Sequence, residues 1–172
     1  LDWGPTLLGE WKGVSIHHAG WMVAAFEISG IVGMLVAGWA TDRFFGGRGP
    51  RVCVICMALA TVFVALFWGI SQPPMWLATL LLGAAGFCIY GPQALVGIAA
   101  ANIATKKAAA TAVGFTGLFG YASTLVSGWG LGLLAQHYGW NIAVGALILI
   151  AIMGTLIFMA AWSAKANGYD ND

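Results

Sequence analysis

Two acids and two tyrosines lie in apolar stretches of this chain, where polar groups are costly. They are Asp2, Glu27, Tyr90 and Tyr121. An ionised acid at the centre of a bilayer costs about 2.5 to 3.5 kcal/mol, so each acid should face protein or water and have a partner. A buried tyrosine hydroxyl also needs a partner, and a ligand phosphate is a good acceptor. We therefore treat these four residues as candidates for ligand binding or for a charge network.

Each candidate has a structural alternative. Glu27 could be protonated and hydrogen-bonded to a neighbouring helix, Asp2 could lie near the membrane surface, and Tyr90 could fill the core. No lysine or arginine lies at membrane depth in this chain. A cation that pairs with either acid must therefore come from elsewhere, and we expect the chain to be a segment of a longer protein.

Glycines accompany both tyrosines. Four positions fall within an arc of about 60° on an ideal helix: Gly114, Gly117, Tyr121 and Gly128. This smooth face could be a helix contact or leave room for a ligand, and both interpretations stay open. Tyr90 precedes Gly91–Pro92, where we expect the helix to weaken and backbone carbonyls to open towards a cavity.

The elements that must position these residues are membrane helices. The chain is 60% hydrophobic and 8% charged, which lies outside the range of soluble domains. No charged side chain occurs at 52–105 or at 108–164. Since one span needs only about 20 residues, each stretch should hold two spans and a bend. The net charge of +1 gives no indication of nucleic acid binding.

These patterns predict an all-α membrane protein with a lipid bilayer as its surroundings. The end of a truncated span is predicted at 1–8, before a polar loop at 10–18. Five complete spans are predicted at 19–41, 52–70, 75–102, 108–135 and 140–163. The paired prolines at 73–74 end the second of these, because they cannot continue a helix.

The cations predict the orientation of the chain. Six of its seven lysines and arginines fall in connections that alternation places on one side: Arg43, Arg48, Arg51, Lys106, Lys107 and Lys165. Only Lys12 falls on the other side. By the positive-inside rule, the six lie in the cytoplasm, and so does the C-terminus.

Signatures of enzymes and metal sites are missing from the sequence. Cys53 and Cys56 have the C-x-x-C spacing but sit in an apolar run, so we interpret them as small apolar fillers. The three histidines are interpreted as surface groups. No Ser-His-Asp order, paired catalytic carboxylates or P-loop occurs. We expect no enzyme activity, no cofactor and no metal.

Four motifs resemble the organophosphate:phosphate antiporters of the major facilitator superfamily. They are Leu1-Asp2-Trp3-Gly4-Pro5-Thr6, the loop with Gly38, Asp42, Arg43, Arg48 and Arg51, Tyr90-Gly91-Pro92-Gln93, and the run from Gly114 to Tyr121 after Lys106-Lys107. The loop is widespread in the superfamily, whereas the first and last motifs are more specific. The resemblance implies that 1–172 is a C-terminal transmembrane domain: the six-helix half from the end of helix 7 to helix 12.

The resemblance also implies roles for the candidates. Asp2 and Glu27 match acids that form a charge network with a lysine of the first helix. Tyr90 and Tyr121 match tyrosines near the phosphate site. The two arginines that hold phosphate in this family lie in the first helix and just upstream of the Asp-Trp motif, so this chain would need the N-terminal half as its partner.

The function implied is exchange of external organophosphate for internal inorganic phosphate by alternating access, in a bacterial inner membrane. Val113 and Thr116 stand where hexose-phosphate carriers usually have an acid and a lysine. This favours a ligand like glycerol 3-phosphate or phosphoglycerate. Receptors that sense hexose phosphate and signal through a kinase also lack that pair, so a non-transporting receptor is the alternative.

Overall fold

A computed structural model describes residues 4–104 and 107–163 of the chain, apart from the side chains of Trp11 and Ile103. Asp2, Lys106 and Lys165, which carry predictions made above, lie outside the described residues. The described part is built of helices joined by short connections.

Six helices follow one another along the described residues. They are α1 (Gly4–Lys12), α2 (Ile16–Phe45), α3 (Gly49–Gly69), α4 (Met75–Ile103), α5 (Ala109–Tyr138) and α6 (Trp140–Ala160). The last five are long and apolar enough to cross a membrane. The predicted all-α, multi-pass membrane fold is confirmed.

Each predicted span overlaps one of these helices; α2 extends beyond both predicted bounds and α5 beyond its predicted end, whereas α6 ends at Ala160, three residues before the predicted end. Helix α2 spans 30 residues, from Ile16 to Phe45, and α1 continues to Lys12 within the stretch predicted as a loop. A helix of that length is about 45 Å long, which matches a bilayer with its headgroup regions. Apolar sequence marks only the part of a helix that lies in the hydrocarbon core, so hydropathy underestimates the length of the helix.

Glycine and proline set the ends of several helices. Gly46 adopts the left-handed conformation after α2, with φ of 55°, and the N–H of Gly47 donates to the carbonyl of Thr41 at 3.0 Å. This is the usual way for glycine to end a helix. Gly139, with φ of 81°, separates α5 from α6. Pro50 lies in the first turn of α3, where its missing N–H costs nothing.

Helix α4 is continuous through Pro92. The predicted opening of the backbone at Gly91–Pro92 is therefore wrong. Both residues are buried, and Gly91 packs so close to Ala37 of α2 that a Cβ on it would lie 2.9 Å from the alanine Cβ. Neighbouring helices often hold a proline-containing membrane helix together in this way.

The bundle has two ends, which we name after their glycines. The Gly13 end carries the turns α1–α2, α3–α4 and α5–α6, and the Gly46 end carries the connections α2–α3 and α4–α5. A core cluster around Leu8, Met22 and Phe67 lies towards the Gly13 end. A second cluster around Val52 and Leu95 lies towards the Gly46 end.

Helix α5 is the least buried of the five membrane helices, and it packs much less than α4. Helix α4 packs against α2, α3 and α5, whereas the main contacts of α5 among the described residues are with α4 and α6. Only 6% of the apolar window of α5 is buried, compared with 39% for α4. A broad face of α5 is thus uncovered in the part of the chain that the structure describes.

Candidate functional site

Small residues let α2 and α4 approach each other closely. A Cβ on Gly33 of α2 would overlap the backbone oxygen of Phe87, and a Cβ on Gly86 of α4 would overlap the backbone oxygen of Phe26. Such contacts require glycine, because a backbone atom cannot move aside as a side chain can. We call this contact the α2–α4 seam, and it carries the candidate site.

Glu27 and Tyr90 meet across the α2–α4 seam. The Tyr90 hydroxyl donates a hydrogen bond to Oε2 of Glu27. The tyrosine ring lies against Gly30, where an added Cβ would be 2.6 Å from ring atom Cδ2. Phe26 contacts the same ring edge to face, with the ring centroids 6.0 Å apart. One turn of α2 therefore contacts the Tyr90 ring and also accepts the hydrogen bond from the Tyr90 hydroxyl.

Ser29 joins the same turn of α2 to α4, and it was not among the residues predicted from the sequence. Its hydroxyl oxygen Oγ lies 2.7 Å from the carbonyl oxygen of Gly83 and 3.0 Å from that of Phe26, so the hydroxyl can donate to either. The available signal was the spacing of small residues: Gly30 and Gly33 on one helix, Gly83 and Gly86 on the other. That signal marks a close contact but does not say which helices meet.

Tyr121 lies apart from this pair, on the open face of α5. It is 78% exposed. A Cβ on Gly114 or Gly117 of the same helix would meet no atom within 4 Å. The structure therefore brings Glu27 and Tyr90 together and leaves Tyr121 on an uncovered surface. The ligand roles predicted for both tyrosines stay predictions, as does the role of Asp2.

A cavity of about 320 Å³ lies between the helices near this site. Its walls are mostly apolar and include Phe26, which also contacts Tyr90. Thr124 and Ser127 of α5 supply hydroxyl groups at one side. An anion would find no cation among these lining residues, so the cavity by itself is a poor phosphate site.

The basic motif residues lie at the Gly46 end. Asp42 and Arg43 are exposed in the last turns of α2, and Arg48 and Arg51 are partly buried. The Arg51 guanidinium lies 5.4 Å from the Trp162 ring centroid, and its Nε donates to the Trp162 carbonyl at 3.5 Å. Arg51 thereby links the start of α3 to the end of α6.

Two polar contacts fasten α1 at the Gly13 end. Lys12 Nζ donates to the carbonyl of Ile70, just after α3, at 2.6 Å and lies 5.3 Å from the Phe67 ring centroid. Partial burial lowers the pKa of Lys12 from its ordinary value. The Trp140 indole N–H donates to Glu10 at 2.9 Å.

The family model for the Major Facilitator Superfamily matches residues 4–168, which is nearly all of the chain. The chain belongs to the Major Facilitator Superfamily. The bundle of apolar helices described above is consistent with this membership. Separately, no group of three histidine, cysteine or acidic side chains in the described part is placed to hold a metal.

Two of the relatives are named for the transport of a phosphate compound, and another is named as a membrane sensor. The chain is 38% identical to a probable hexose phosphate transport protein of Chlamydia pneumoniae, covering 95% of this chain and 36% of the relative. It is 34% identical to the glycerol-3-phosphate transporter of Haemophilus influenzae, covering 96% and 39%. It is 32% identical to the membrane sensor protein UhpC of Salmonella typhimurium, covering 96% and 37%.

These relatives confirm the predicted resemblance to the organophosphate:phosphate antiporters. The chain spans little more than a third of the length of each relative. That share agrees with the prediction that it corresponds to one half of a carrier.

Proposed function

We propose that this chain is the C-terminal half of a carrier that exchanges an organophosphate for inorganic phosphate across a bacterial inner membrane. The observation that carries the proposal is the pair of Glu27 and Tyr90, a carboxylate and a hydroxyl held between two apolar helices of a Major Facilitator chain. A polar pair at this depth is costly and indicates a ligand path or a charge network. The names of the relatives support the class of ligand.

In this proposal, the N-terminal half packs against the uncovered face of α5, and the substrate binds between the halves near the membrane midplane. Tyr121 then faces the substrate path, and the N-terminal half supplies the cations that hold phosphate. Glu27 pairs with a cation in one state of the carrier and releases it in the other. A contact that differs between two states shifts their populations, which is how the pair would bias alternating access.

A small organophosphate is the proposed substrate. Val113 and Thr116 on α5 favour a ligand like glycerol 3-phosphate or phosphoglycerate over glucose 6-phosphate. The relatives include both a probable hexose phosphate transport protein and a glycerol-3-phosphate transporter. Their names therefore do not decide between the two substrates, and an exchange assay compares them directly.

Phosphate exchange by the full-length protein in lipid vesicles tests the function. Vesicles loaded with radiolabelled phosphate should release it when glycerol 3-phosphate or 3-phosphoglycerate is added outside, and less so with glucose 6-phosphate. Glu27→Gln should slow this release about tenfold or more, because a hydrogen bond or ion pair to a charged group is lost. Glu10→Gln, which changes an exposed acid at the Gly13 end, should exchange normally. Absence of release from the wild type under all three substrates would refute the transport function.

Tyr121→Phe tests the proposed path on α5. Loss of a hydroxyl that donates to phosphate should weaken organophosphate affinity about fivefold to tenfold while the aromatic ring stays in place. Competition with radiolabelled phosphate measures this affinity. Tyr138→Phe at the end of the same helix, also exposed, is the matched control. An unaltered binding curve for Tyr121→Phe would assign Tyr121 to packing.

The alternative function is a receptor that binds a sugar phosphate without transporting it. The 32% identity to a membrane sensor protein supports this alternative function. The same vesicles discriminate: a receptor would bind organophosphate but would not release labelled phosphate. The relatives are named as transporters and a sensor, which supports transport or sensing over catalysis.

A further inference from the structure

We infer that Tyr90 is a positioning residue that holds the Glu27 carboxylate in place and acts on transport through Glu27, without touching the substrate. This inference rests on the proposed function and changes the role that the sequence predicted for Tyr90. Its starting point is the hydrogen bond from the Tyr90 hydroxyl to Oε2 of Glu27.

The chemistry of the hydroxyl limits what else Tyr90 can do. A phenol has one hydrogen to donate, and both carboxylate and phosphate oxygens are acceptors. While Tyr90 donates to Glu27, it has no hydrogen left for a phosphate. Direct recognition of the substrate phosphate by Tyr90 would require this hydrogen bond to break.

The surroundings of the Tyr90 ring resist such a change. One side of the ring lies against the backbone at Gly30, and Phe26 packs against the ring in a T-shaped arrangement. The next residue, Gly91, is buried against Ala37 of α2. A ring held by glycine on one side and phenylalanine on another has little room to turn its hydroxyl away from α2.

The backbone that carries Glu27 is held against α4. Ser29, in the same turn of α2, donates a hydrogen bond to the Gly83 carbonyl on α4. Within the part of the chain that the structure describes, Oε1 of Glu27 accepts no hydrogen bond. Tyr90 therefore occupies one carboxylate oxygen and leaves the other for a cation, which must come from outside the membrane helices of this chain.

Exchange kinetics of full-length variants separate positioning from ligand binding. Tyr90→Phe keeps the ring and removes only the hydroxyl. We expect it to lower the maximal exchange rate about tenfold and to change the organophosphate KM less than twofold, since a hydrogen bond to a charged group is lost. The double variant with Glu27→Gln should be no slower than Glu27→Gln alone, because both changes break one pair.

The opposite pattern would overturn the inference. A direct ligand role predicts a raised KM for Tyr90→Phe and losses that add in the double variant. A purely structural role predicts a lower unfolding temperature with normal rates for each folded protein. Either result refutes positioning.

Fluorine NMR tests the pair without any transport. With 3-fluorotyrosine placed at residue 90 of the full-length protein, Glu27→Gln should shift the fluorine resonance, because the acceptor loses its charge. The same label at Tyr138, which is exposed at the end of α5, should not respond. An unshifted resonance at residue 90 refutes the pair itself. A shifted resonance in a wild-type protein that exchanges no phosphate refutes the proposed function and leaves the pair standing.

Discussion

Lys12 shows at the scale of one residue how a charged group can fasten a membrane bundle. Its ammonium group donates to the carbonyl of Ile70, which follows the last turn of α3, and lies over the Phe67 ring. The carbonyls at the end of a helix lack partners and attract cations. Lys12 thus connects α1 to α3, two helices that are distant in sequence.

Lys12→Met should lower the free energy of unfolding by about 1 kcal/mol, a value reduced for partial exposure. Lys107→Met, at an exposed cation of the α4–α5 connection, is the control and should change it little. Thermal unfolding of the full-length protein in detergent measures both. Equal effects of the two substitutions would contradict a specific role for Lys12.

Burial of the Lys12 ammonium group gives the free energy of unfolding a separate pH dependence. Burial lowers the pKa of Lys12 in the folded state from its ordinary value of 10.5. At pH values just below 10.5, the unfolded chain therefore binds more protons than the folded chain does. The free energy of unfolding of the wild type should therefore rise with pH in this window, relative to Lys12→Met. A difference that falls as pH rises would contradict the assigned cause.

At the scale of elements, the α2–α4 seam separates glycines that packing requires from glycines on open surface. Gly33→Ala should destabilise the protein by about 1 to 3 kcal/mol, because the new methyl group would strike the Phe87 backbone oxygen. Gly20→Ala, near the start of the same helix, makes the same chemical change where no atom lies within 4 Å. Thermal unfolding of the full-length protein in detergent compares the two variants. A loss at Gly33 no larger than that at Gly20 would contradict the close contact at the α2–α4 seam.

Hydropathy predicted the number and order of the helices, but not the partners of their polar residues. The position of Glu27 in an apolar span showed that it needs a partner, and both a hydrogen bond to a neighbouring helix and a cation from elsewhere remained open. Its actual partner, Tyr90, is 63 residues away. Which helices meet depends on how closely glycines fit against backbone atoms of another helix, as at Gly33 and Gly86. The spacing of glycines in a single sequence does not predict that fit.

The same limit explains the error at Pro92. Proline weakens an isolated helix, and this local rule predicted an opened backbone. In the bundle, α2 and α3 both pack against α4. A Cβ placed on Gly91 would lie 2.9 Å from the Cβ of Ala37 and 3.5 Å from the sulfur of Cys56. Packing between helices thus outweighs the local effect of the proline.

For the whole molecule, the arrangement of cations predicts which end of the bundle faces the cytoplasm. Arg43, Arg48 and Arg51 lie at the Gly46 end, whereas the turn after α3 lies at the Gly13 end. Arginine and lysine are enriched in cytoplasmic loops because translocating them is unfavourable. We therefore expect the Gly46 end, and with it the end of α6, to be cytoplasmic.

Ser71 and Ser163 provide a matched pair to test this orientation. Both are exposed, and they lie at the Gly13 end and the Gly46 end. In the full-length protein, Ser71→Cys should react with a membrane-impermeant maleimide in intact cells, and Ser163→Cys only in inverted vesicles. The full-length protein without either substitution is the control, and within this chain two of the three cysteines are buried and the third is partly buried. Labelling of Ser163→Cys in intact cells would reverse the orientation and would place the basic motif outside, where the positive-inside rule disfavours it.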